Sequence, residues 1–279
     1  MKPQILLAVL LILASCAYTP EEPSEQMLVV DGWIDDGGFP VVMVSLTVPV
    51  STESTDLNDL GQYVARMATV KVSDGENTVV LTGMRDKRYF PPYIYTTGHL
   101  RGESGKTYTL DVSYKGLTAS ATTTIPQKVE LDALECVKTE SSDTLYSILA
   151  SFRDDLSEHR RYKVFVMTEK GGETVFSPSF MGLYDNSAFP SSDQQIHIYP
   201  ATATEGSDMR IHFPGSQTVQ VKFCTLDEDA YEYWKSFENV HTLSRNPLFP
   251  TTYNLSSNVR GGLGLWAGYG AAFYSVELP

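Results

Sequence analysis

Along most of this 279-residue chain apolar side chains recur at every second position, so short strands are expected nearly throughout. Residues 28–30 lead into Trp33 and Ile34, Asp35-Asp36-Gly37-Gly38 supplies a turn, and residues 41–48 return as a strand. Segments 69–73 and 78–81 flank Asp74-Gly75-Glu76-Asn77 as a second hairpin. Residues 107–114 alternate cleanly, turn at Lys115-Gly116 and resume over 117–125. Strands of this length and spacing predict an immunoglobulin or fibronectin type III-like β-sandwich over residues 27–126, closed by Pro126. A Ser-, Thr-, Asp- and Asn-rich insertion at 51–62 interrupts it, either a long loop over one end or an excursion from the fold.

Beyond Pro126 the pattern is less regular. Extended segments are expected at 129–138, 145–154, 162–168, 174–176, 195–199, 210–213 and 218–224, with a final strand at 271–278. One helix is expected: Asp227 can cap it, Glu228 and Asp229 suit its positive end, and Ala230, Tyr231, Trp234 and Phe237 form an apolar stripe. The fold class is therefore mainly β, a sandwich followed by a second β-rich domain at 127–279 with one short helix near 227–238.

The N-terminus breaks the pattern. An apolar run from Ile5 to Ala14 follows Lys2 and ends in Leu13-Ala14-Ser15-Cys16, which resembles a bacterial lipobox. The run is shorter than the about 20 residues a bilayer span requires. Residues 1–15 read as a lipoprotein signal peptide, Cys16 as the lipidated N-terminus, and 16–26 as an acidic tether.

Charge narrows the partners. The formal charge is −13, and excision of residues 1–15, whose only charge is Lys2, makes it −14. So acidic a protein is a poor match for nucleic acid or for anionic headgroups. The lipid on Cys16 is the expected link to the bilayer.

The two ends of the mature chain add a resemblance. Val29-Val30-Asp31-Gly32-Trp33-Ile34 with Pro40-Val41-Val42, and Asn246-Pro247 with Ser257-Asn258-Val259-Arg260-Gly261-Gly262-Leu263-Gly264, resemble the Bacteroidota outer-membrane lipoproteins catalogued as domain of unknown function 4249. The resemblance implies an outer-membrane, lipid-anchored protein, exposed at the cell surface and associated with TonB-dependent receptors in nutrient uptake or assembly. It carries no catalytic residues across. Glu21, Glu22 and Glu25 mildly favour the outward face.

Chemistry-bearing motifs are few. Gly262-Leu263-Gly264-Leu265-Trp266-Ala267 has the bare spacing of a dinucleotide fingerprint, but the chain ends at Pro279 without the following helix and strand, so a structural role is expected. His197 and His212 sit in similar strand patterns without a third ligand at fixed spacing. The acidic clusters lack calcium-loop spacing, and no nucleophile elbow occurs. No catalytic residue, metal or cofactor is therefore expected. Cys136 and Cys224 fall in predicted strands and either pair as a disulfide or are buried separately. Tyr89, Phe90, Tyr93 and Tyr95 lie around Pro91-Pro92 and are candidates for ligand or partner contact, with burial between the two halves as the alternative. The expected function is a non-catalytic accessory of a surface uptake or assembly complex. Direct capture of a peptide, glycan or chelate, or an adhesive role, is the alternative.

Overall fold

A computed structural model describes residues 26–48, 61–140, 142–168, 175–201, 211–243 and 255–279. The expected signal peptide, Cys16, nearly all of the expected tether and most of the 51–62 insertion lie outside the described residues.

The chain forms β1 (Leu28–Asp35), β2 (Val41–Leu46), β3 (Thr69–Ser73), β4 (Thr78–Val80), β5 (Thr82–Met84), β6 (Ile94–Thr96), β7 (Thr107–Tyr114) and β8 (Leu117–Thr124). Then follow β9 (Ala133–Lys138), β10 (Leu145–Arg153), β11 (Arg161–Thr168), β12 (Ser177–Asp185), β13 (Asp193–Ile198), β14 (Phe213–Pro214), β15 (Gln217–Leu226), α1 (Glu228–Leu243) and β16 (Gly262–Leu278). The protein is mainly β, and its sheets stack in a sandwich-like arrangement.

An eight-stranded sheet in the order β12-β11-β15-β16-β1-β2-β6-β5 runs through the whole molecule. At one end the sheet β4-β3-β7-β8 covers it; at the other lies a sheet with β10 at its centre, β9 on one side and β13 and β14 on the other. Alternation selects the buried face. Leu28, Val30, Ile34, Val42 and Val44 meet Val70, Val72, Leu110 and Val112 in the first core. Tyr162, Val164, Val166, Val221 and Phe223 meet Ile148, Ala150, Phe152, Ile196 and Phe213 in the second.

The turns follow their residues. Lys115 and Gly116 both have positive φ, 48° and 85°, as a two-residue turn matched to strand twist requires, and β7 and β8 pair in full register across them. Asp227 caps α1 as expected, its Oδ1 accepting the Ala230 N–H at 2.9 Å, and its Oδ2 takes the Thr123 hydroxyl at 2.6 Å. The helix continues past Glu238 to Leu243.

β16 is longer than its expected 271–278. Residues 262–269 run parallel to β1, and residues 269–278 run antiparallel to β15, so one strand contributes Trp266 to the first core and Leu278 to the second. The glycines that suggested a break before the strand lie inside it. Gly264 has φ +112°, and a Cβ there would fall 1.8 Å from the Val30 carbonyl oxygen, so only glycine permits this parallel pairing. Asn258 braces the strand, its side chain accepting from Trp266 N–H at 3.0 Å and donating to Trp266 O at 2.8 Å. The Trp266 indole donates to Tyr108 O at 3.1 Å. β12 likewise occupies a stretch that reads as irregular, because a register shift opposite Lys163 and Phe165, with Met181 at φ 48°, interrupts its alternation.

Candidate ligand groove

The face of the large sheet turned away from both cores is built from the opposite parity. β1 sends out Asp31, Trp33 and Asp35, β2 Val41 and Met43, β11 Lys163, Phe165 and Met167, β15 Lys222, and β16 Tyr269 and Phe273. α1 lies across part of it, packing Trp234 edge-on to Phe165 at 5.3 Å between centroids and donating its indole N–H to Tyr269 OH at 3.0 Å. Beside the helix the face stays open as a groove of about 670 Å³. Tyr89 and Phe90 wall one side, with Tyr89 6.1 Å from Trp33, and Phe176 and Phe273 wall the other at 5.7 Å. Phe90 is 60% exposed and Phe273 53%, so apolar rings form the rim.

The charges in the groove fall into two kinds. Lys222 Nζ donates to Asp35 Oδ1 at 2.6 Å, with side chains 6% and 15% exposed, and the ammonium lies 4.7 Å from the Tyr269 ring centre and 5.3 Å from Phe165. Arg88 pairs with Asp86 at 2.7 Å. Asp31 is different. Its cross-strand neighbours are Met43 and Leu265, and no ion pair or side-chain hydrogen bond joins it to another described residue. The Asp31 side chain is exposed to solvent in the groove, and the protein packed around its carboxyl raises the pKa, to about 6. Nearby, burial raises Tyr269 well above the usual phenol range and Tyr233 to about 12, so both are neutral donors at physiological pH. At the edge of the helix, Lys163 Nζ donates to Glu238 Oε1 at 2.6 Å, and burial lowers the lysine despite its partner.

The residues expected to make contact separate into two groups. Tyr89 and Phe90 line the groove. Tyr95 is 2% exposed in the first core, its hydroxyl donating to Ala65 O and accepting from Ala68 N–H at 2.9 Å. Tyr93 packs edge-on to Tyr95 at 5.5 Å and donates to Arg66 O at 2.9 Å. Strand alternation turns these two tyrosines away from the groove. The suggested Cys136–Cys224 disulfide is not formed: Cys136 packs into the second core, whereas Cys224 is buried under α1, and the eight-stranded sheet lies between them. Burial pushes both thiols up. His212 Nδ1 bonds to Ser147 Oγ at 3.1 Å and His197 stacks on Tyr199; among the described residues no three metal-ligating side chains converge.

Asp31, Asp35, Lys222, Tyr269 and Phe273 had no signal as a set. Asp31-x-Trp33-x-Asp35 does alternate, but Asp35 also fits a turn, and its partner Lys222 is 187 residues away.

The protein is thus a mainly β, sandwich-like protein with an aromatic groove on the free face of a shared sheet. A family model described as "Domain of unknown function (DUF4249)" matches residues 17–273, and the chain belongs to that family. The search of curated proteins finds no match.

Proposed function

We propose that this protein is a lipid-anchored, non-catalytic binding protein of the outer membrane that captures a small ligand in its groove and works beside a TonB-dependent uptake complex. The observation that carries this reading is the groove itself: about 670 Å³, within the range of small-molecule sites, with aromatic walls and few polar groups. Phe90 and Phe273 leave more than half of their surface exposed at its mouth, Phe273 beside Phe176, so apolar ring surface is presented to the groove. The lipobox at Cys16 supports the anchor, and the family resemblance supports the setting. Binding is favoured over hydrolysis because Asp35 is held by Lys222 and Asp31 stands four residues away on the same strand, about 13 Å between Cα atoms by strand geometry.

The test is to purify the protein from detergent-solubilised native membranes, release its small molecules by denaturation and identify them by mass spectrometry. Wild type is expected to carry a defined compound that Phe90→Ala and Phe273→Ala lose while keeping the wild-type melting temperature. Equal recovery from the variants would remove the groove from the account.

A further inference from the structure

The groove holds one carboxylate whose charge nothing in the described fold answers. Of the four charged residues that line it, Asp35 and Lys222 neutralise each other and Arg88 is bound to Asp86, which leaves Asp31. Its neighbours across the sheet, Met43 and Leu265, offer no hydrogen bond. Asp31 is solvent-exposed along the groove, so its unpaired charge attracts a cation seated there and repels an anion. A metal ion needs several oxygen ligands, and one carboxylate among rings does not supply them.

The same groove shows how it accommodates a cation. Lys222 places an ammonium on a carboxylate at 2.6 Å, within 4.7 to 5.9 Å of the ring centres of Tyr269, Phe165 and Phe273. Four positions back along β1 from Asp35, Asp31 has Trp33 next to it on the same face, with Tyr89 6.1 Å from Trp33. An aromatic side chain thus adjoins Asp31 along the strand, and among the described residues no cation pairs with it.

Resting on the reading of the groove as a ligand site, we propose that its ligand is a small organic ammonium ion with an apolar body, the charged head on Asp31 and the body against Trp33, Tyr89 and Phe90. The head donates hydrogen bonds to the Asp31 carboxylate, and the ring faces stabilise its charge. The apolar body covers the exposed aromatic rim.

The test uses three probes of similar size: 2-phenylethylammonium, 2-phenylethanol and 3-phenylpropanoate. Each is titrated into the mature protein at pH 7.5 by calorimetry, with tryptophan emission followed in parallel, because Trp33 and Trp234 line the groove. The ammonium is expected to bind about tenfold or more tighter than the alcohol, and the carboxylate more weakly than both. Asp31→Asn should lower the ammonium to the affinity of the alcohol and leave the alcohol unchanged, which also shows that the variant is folded. If the alcohol perturbs emission and binds as tightly as the ammonium, the groove stands as a site and the cation assignment fails. If Asp31→Asn keeps the ammonium preference, Asp31 is not the anchor. If no probe binds, both readings fail together.

Discussion

The two faces of the eight-stranded sheet contrast in what packing demands of them. The inner face is apolar along its length: Val30, Ile34, Val164, Val221, Phe223 and Trp266 are all buried against a second sheet. On the outer face, the same strands carry Asp31, Asp35, Lys163 and Lys222 among aromatic rings. Buried ions generally add less stability than apolar residues of equal size, so the outer face is not arranged for stability alone. Where a fold retains uncompensated charge beside a cavity, the charge is informative about function.

Substitutions on each face can break this contrast. Trp266→Ala should have the largest effect, a loss of about 4 kcal/mol of unfolding free energy in a denaturant titration, because it empties the first core and removes the bond to Tyr108. Lys222→Ala should cost about 3 kcal/mol by stranding Asp35, yet Lys222→Met combined with Asp35→Leu should come within about 1 kcal/mol of wild type. A double variant as unstable as the single one would show that the pair is structural.

Asp31→Asn should act in the opposite direction and raise stability at pH 7.5 by about 1 kcal/mol, a figure kept small because the carboxylate is open to the groove and screened. The sign follows from linkage. The folded-state pKa of about 6 lies above the ordinary aspartate value of 3.8, so the folded protein holds the proton more tightly than the unfolded chain. The Asp31 contribution to stability is therefore fullest below pH about 4 and is lost as pH rises through about 6. The difference between wild type and Asp31→Asn, measured by thermal unfolding across that range, should grow with pH. The charged groups facing Asp31 do not complicate the window: Asp35 and Lys222 are paired, and Tyr233 and Tyr269 ionise far above it. Binding of an ammonium probe should weaken as pH falls through about 6, since protonated Asp31 no longer attracts it.

Phe90→Ala should have the smallest effect on stability, under about 0.5 kcal/mol, because its ring is mostly in solvent. Tyr95→Ala, by contrast, should cost about 3 kcal/mol or more by thermal or denaturant unfolding, which separates rim from core within one short aromatic segment.

Much of the inner face was legible in the chain. Hairpins such as β7–β8 join a strict two-residue period to turn residues that tolerate positive φ, and both signals are local. β12 was hidden by its bulge, and the N-terminal half of β16 by glycines that a strand interior seldom contains. The groove was less legible because it is assembled from β1, β11, β15 and β16 together with the segment that carries Tyr89, and alternation says which residues share a face but not which strands are neighbours. Tyr89 and Phe90 were visible as aromatic residues near prolines; Tyr93 and Tyr95 were equally visible and face the core.

The most direct measurement is the melting temperature of wild type and Asp31→Asn, each with and without 2-phenylethylammonium at pH 7.5. The account predicts that the ligand-free variant melts higher than wild type and that the ammonium ion raises wild type clearly more than the variant. A variant that melts lower, or one that keeps the full ammonium-induced rise, would contradict it.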